Sequence, residues 1–110
     1  MEAYAIAKGV RISPRKARLV IDLIRGKKVS EARSILKNLN NDAARYTIKV
    51  FESAVANACN NLGLKEENLI VSEVYANEGV TLKRMKFGSR GHVDPIKKRT
   101  SHITVKVKEI

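Results

Sequence analysis

The sequence predicts an α+β fold: a three-stranded antiparallel sheet packed with three helices, plus a long protruding basic β-hairpin. Three observations predict it. Apolar residues recur at helical spacing in three runs between Ser13 and Leu62. Strand-forming residues lie outside those runs, near the N-terminus, over Leu69–Asn77 and over Ile103–Val107. The last two are joined by Gly79–Arg99, a Gly-broken segment dense in Lys and Arg. At 110 residues the chain is long enough for one domain with a modest core. The expected division is a body of residues 1–78 and 100–110 and an extended arm of about 79–99.

The first strand follows from Tyr4, Ile6, Val10 and Ile12, which alternate with small or polar residues. Ser13-Pro14 then starts a helix, with Ser as N-cap and Pro at the first helical position. Ala17, Val20, Ile21 and Ile24 share one face, which Leu19 and Leu23 widen. Arg15, Arg18, Asp22 and Arg25 take the other, and Gly26 is a natural stop. A second helix is expected from Ser30 to about Leu39, burying Ala32, Ile35, Leu36 and Leu39. The third spans about Ala43 to Leu62, with Asp42 able to cap it. Ala44, Ile48, Phe51, Val55, Ala58, Cys59 and Leu62 form its stripe, and Gly63 closes it. Leu69–Asn77 is rich in β-formers. Ile103, Val105 and Val107 alternate with His102, Thr104, Lys106 and Lys108, as in a half-buried strand. Joined by the basic segment, these two strands should pair antiparallel.

The charge is unevenly placed. The formal net charge is +11. Residues 1–40 carry ten Lys/Arg against three Asp/Glu, residues 41–78 three against six, and residues 79–110 nine against two. An oriented docking module needs such asymmetry, whereas solubility alone does not. Within the arm, Lys83, Arg84, Lys86, Arg90, Lys97, Lys98 and Arg99 face one acid, Asp94. So charged a segment gains little by burial and is suited to bind a polyanion. Lys83-Arg84 and Lys97-Lys98-Arg99 fall on facing strands, where like charges repel without a counter-charge. The ten residues from Gly79 to a tip near Ser89 would reach roughly 30 Å. Arg15-Lys16-Ala17-Arg18 and Arg25-Gly26-Lys27-Lys28 read as phosphate contacts, or alternatively as a solvated helix face. Aromatics are scarce, and the arm has only Phe87. That argues against a base-stacking platform and for recognition of folded RNA by shape and backbone charge.

Catalytic chemistry finds little support. Cys59 lies on an apolar stripe and reads as a buried small hydrophobe; as a lone cysteine it forms no internal disulfide, which fits a reducing compartment. His92 and His102 lack partners at metal-ligand spacing, so no metal and no cofactor are expected. Ser101 and His102 are adjacent on a strand and point to opposite faces, so they are no nucleophile–base pair. Glu66 and Glu67 read as solvated charge in a loop. The N-terminus has an early Glu2 and no long apolar run, so it is not read as a signal peptide. No stretch reaches the roughly 20 apolar residues of a membrane helix. A cytoplasmic protein is expected.

The residues themselves resemble a family. Ser13-Pro14-Arg15-Lys16, Arg18-Leu19-Val20 and Asp22-Leu23-Ile24-Arg25-Gly26-Lys27 look like the opening of the bacterial large-subunit ribosomal protein L-twenty-two family. So do Glu52-Ser53-Ala54, Ala56-Asn57-Ala58, Glu78-Gly79, Lys83-Arg84, Gly91, and the specific run Lys98-Arg99-Thr100-Ser101-His102-Ile103-Thr104-Val105. The resemblance covers essentially the whole chain in order. It implies a non-enzymatic constituent of the large ribosomal subunit that binds 23S-type rRNA, assists early assembly and contacts neighbouring ribosomal proteins. It implies a hairpin threaded through RNA whose tip, Phe87, Gly88, Ser89, Arg90, Gly91 and His92, lines the exit tunnel for nascent chains. With the basic residues above, it adds Arg11, Thr100, Ser101 and His102 to the RNA-binding set.

Departures lie in the arm. Val80 stands where the family usually has Pro after Glu-Gly. The family's tip usually runs Met-Pro-Arg-Ala-Lys-Gly-Arg, and Gly88 and His92 replace its two arginines here. A free-standing RNA or DNA chaperone would share the charge pattern. A small basic nuclease would need an acid–base or metal constellation that the sequence lacks.

Overall fold

The computed structural model describes residues 2–87, 91 and 93–110, without the side chains of 84–87 and 93–97. In order the elements are β1 (Glu2–Val10), α1 (Pro14–Ile24), α2 (Val29–Asn38), α3 (Asp42–Asn61), a short 3-10 turn (Glu66–Asn68), β2 (Leu69–Glu78), β3 (Leu82–Phe87), β4 (Val93–Lys98) and β5 (Ser101–Glu109). The main sheet is antiparallel in the order β1-β5-β2, so the C-terminal strand is central. β3 and β4 pair separately, antiparallel, with Lys83 opposite Lys97. Among the described residues no helix is long and apolar enough to cross a membrane.

The helices bury the stripes their spacing predicts. α1 turns Ala17, Val20, Ile21 and Ile24 inward and packs on β2. Leu19, expected to widen that face, is 69% exposed, and Leu23 is also exposed. The stripe of Ala17, Val20, Ile21 and Ile24 already meets β2, α2 and α3, and the flanking leucines remain in solvent. α2 buries Val29, Ala32 and Leu36, while Ile35 and Leu39 are half-buried at its rim. α3 covers β1 and β5 with Ala44, Phe51, Val55 and Ala58, joined by Ala43, Thr47, Val50 and Ala54. Ile48 and Cys59 are partly buried, and Leu62 is exposed beyond the last turn. Its N-cap is Asn41, whose Oδ1 accepts from the Ala44 N–H at 2.8 Å; Asp42 sits one place inside the helix. Gly26 and Gly63 follow α1 and α3 with positive φ.

Of the large residues expected to face the core from the first strand, Ile12 is buried and Val10 packs against the core, but Tyr4 and Ile6 face outward. Tyr4 is 59% exposed and Ile6 is exposed, whereas Ala3 is buried and Ala5 and Ala7 pack against the core. α3 lies against this strand, with the Asn57 amide donating to the Tyr4 carbonyl at 2.9 Å. Small residues permit that approach, and larger ones are excluded to the outer face. β2 changes face at a bulge between Val71 and Glu73, so Leu69 and Val71 and then Val74 and Ala76 point inward.

The β2 edge of the sheet is occupied. The α1–α2 loop bonds β2 through Gly26 N–H to Val71 O and Val71 N–H to Lys27 O. Farther along, Arg18 donates to Ala76 O and Arg25 to Val74 O. These two guanidiniums occupy carbonyls that a bare edge would leave open.

Candidate nucleic-acid interface

The start of β5 fixes the geometry of the basic surface. Thr100 Oγ1 donates to Val80 O at 2.7 Å, and Gly79 N–H bonds Thr100 O at 2.9 Å. Ser101, wholly buried, donates its hydroxyl to Ile12 O at 2.6 Å. His102 Nδ1 accepts from Gly9 N–H at 3.0 Å, where a positive φ accompanies the β1 bulge. Three successive side chains thus clasp the β2–β3 junction, the β1–α1 loop and the β1 bulge. Ser101 has no exposed surface, so its contribution to a ligand site is placement. Thr100 is also buried, and His102 is half-buried.

The clasp brings the two basic ends of the chain together. Ile12, held by Ser101, follows Arg11; Thr100 follows Arg99. Arg11, Ile12, Ser13, Lys16, Asp42, Lys98 and Arg99 line one cleft of about 370 Å³. Arg11, Lys16, Lys98 and Arg99 are all exposed, and none forms an ion pair with an acid among the described residues. Four cations against the single carboxylate of Asp42 leave the cleft with an excess of positive charge, so the arrangement favours an anion between them.

Other cations are already engaged. Arg33 makes a two-point contact with Glu52, at 2.6 and 3.1 Å, and also bonds Glu66. The bond to Glu52 raises its pKa; partial burial opposes this, and Glu66 adds to the rise. Its guanidinium lies 5.8 Å from the Phe51 ring centroid. Glu66, expected as solvated charge, is therefore part of this network, on the 3-10 turn. Lys106 has its pKa raised by a hydrogen bond to Glu73. Arg25 pairs with Asp22 at 2.7 Å as well as capping β2.

The predicted RNA-binding residues therefore sort into groups. Arg11, Lys16, Lys98 and Arg99 converge. Arg15, Lys27 and Lys28 are exposed but do not line the cleft. Arg18 and Arg25 are exposed residues that also bond the sheet edge. Lys83 is exposed on β3. The side chains of Arg84, Lys86, Phe87 and Lys97, and the tip residues Gly88, Ser89, Arg90 and His92, lie outside what is described; Gly91 is exposed with φ +76°. Asp42 was not read from sequence as part of the basic surface. Only the approach of α3 to the clasp places it there. Compared with known protein families, residues 5–108 match the family described as Ribosomal protein L22p/L17e.

Proposed function

The chain belongs to that ribosomal protein family, and from this premise we propose that it docks on large-subunit 23S-type rRNA through the cleft of Arg11, Lys16, Lys98 and Arg99. The family is a structural, non-enzymatic one of the large ribosomal subunit. The single observation that carries the proposal is the convergence of four cations, from opposite ends of the chain, on a cleft with one carboxylate, Asp42, none of the four being ion-paired among the described residues. Phosphates supply the missing counter-charge, and their condensed ions are released on binding.

In this reading residues 1–78 and 100–110 form the docking body. Residues of about 79–99 form a basic hairpin that protrudes from it into RNA. Arg15, Lys27, Lys28 and the arm cations extend the contact, while Thr100, Ser101 and His102 act by holding the cleft in shape. The tip, Phe87–His92, lines the exit tunnel and meets nascent chains. Joining both ends of the chain to RNA suits a role in early subunit assembly beside neighbouring ribosomal proteins. The protein works ribosome-bound in the cytoplasm, without a cofactor.

The test is incorporation. Lys16→Glu combined with Lys98→Glu should keep the wild-type melting temperature, because both residues are exposed. It should be missing from large subunits washed in high salt, where the wild type remains. Retention equal to wild type contradicts the proposal. A wild-type protein that washes off completely favours a free-standing chaperone instead.

A further inference from the structure

The cleft contains an acid. Asp42 lines it together with Arg11, Lys16, Lys98 and Arg99, yet its ion pair among the described residues is with Arg45, at 3.3 Å through Oδ1. Both partners are about three-quarters exposed, so that pair is loosely held. Asp42 is not committed to capping α3, because Asn41 bonds the Ala44 N–H. Oδ2 has no hydrogen-bond partner among the described residues. A carboxylate here opposes the binding of phosphate. It also accepts hydrogen bonds, which the ionised phosphodiester groups of a nucleic acid cannot donate. The groups that can donate beside an RNA phosphate are the ribose 2′-hydroxyl and the amines of the bases.

We infer that Asp42 is a specificity-determining residue of the docking cleft: its carboxylate accepts a hydrogen bond from a donor on the docked nucleotide and disfavours polyanions that lack one. The inference rests on the RNA-docking reading. The four cations seat a phosphate of any source. Asp42 weakens that seat for every polyanion and restores affinity where a 2′-hydroxyl or base amine meets it.

Asp42→Ala is compared with wild type on three probes at one salt concentration: a transcript of large-subunit rRNA, single-stranded DNA of the same sequence, and inorganic polyphosphate. The ratio of RNA to polyphosphate affinity should fall about tenfold, the scale of one hydrogen bond to a charged group. If DNA tightens along with polyphosphate, the donor is the 2′-hydroxyl; if DNA follows RNA, the donor is a base amine. Either result supports the inference. Equal tightening on all three probes, or no change on any, overturns it. Asn41→Ala is the fold control, since it removes the α3 cap outside the cleft. It should lower the melting temperature and leave the ratio unchanged, and an equal fall in its ratio also overturns the inference. The docking reading fails separately, if Lys16→Gln with Lys98→Gln binds the transcript as wild type does.

Discussion

Thr47 is wholly buried in α3, yet its hydroxyl has no hydrogen-bond partner among the described residues. A buried unsatisfied polar group costs about 1–3 kcal/mol. Thr47→Val keeps the shape and removes the hydroxyl, so it should stabilise the fold by about 1 kcal/mol, read as a higher melting temperature. Phe51, wholly buried beside it on the same helix, marks the other extreme: Phe51→Ala should cost about 3–5 kcal/mol. Unchanged or lower stability in Thr47→Val would mean that the hydroxyl is satisfied in solution. Sequence periodicity located Phe51, but not Thr47. A stripe read from apolar residues passes over a threonine turned inward. Exposed Leu19 and Leu23 show the converse. Helical phase alone does not state how wide a face the neighbouring strand will cover.

At the scale of elements, helices were more legible than strands. Each helix returns a side chain to the same face every turn, so its stripe survives small errors in its bounds. A strand changes face with one bulge. β2 does so at Ser72, and β1 presents alanines to α3 with Tyr4 and Ile6 outward. The Glu78-Gly79 and Thr100-Ser101-His102 segments were legible as motifs, but their work was not, because each bonds across the chain. A Cβ on Gly79 would stand 2.5 Å from Thr100 Oγ1 and 3.3 Å from the Thr100 carbonyl carbon. Gly79→Ala therefore forces Thr100 away from Val80 O. It should cost about 1–3 kcal/mol, as overpacking does, and weaken RNA binding by loosening Lys98 and Arg99. Gly79→Ala combined with Thr100→Ser should recover part of the stability, since the smaller side chain can turn aside. A single variant as stable as wild type would show that the junction adjusts freely.

For the whole molecule, charge distribution was legible and its convergence was not. Residues 1–40 and 79–110 each carry a net +7. That both meet at one cleft depends on β5 lying between β1 and β2 and on Ser101 bonding Ile12 O. Counting charges also treats Arg18, Arg25 and Arg33 as equivalent to the rest, although the fold engages all three. Under the proposed function the four converging cations take phosphates. Phosphate contact is read from the slope of log affinity for large-subunit rRNA against log salt concentration, in wild type and in a variant with Arg11, Lys16, Lys98 and Arg99 all changed to Gln. If wild type neutralises about 6–10 phosphates, its affinity should fall roughly 10³–10⁵-fold between 50 and 200 mM salt. The variant should melt as wild type does and lose about one unit of slope for each phosphate contact removed. A folded variant with the wild-type slope would mean that these four side chains do not bind phosphate.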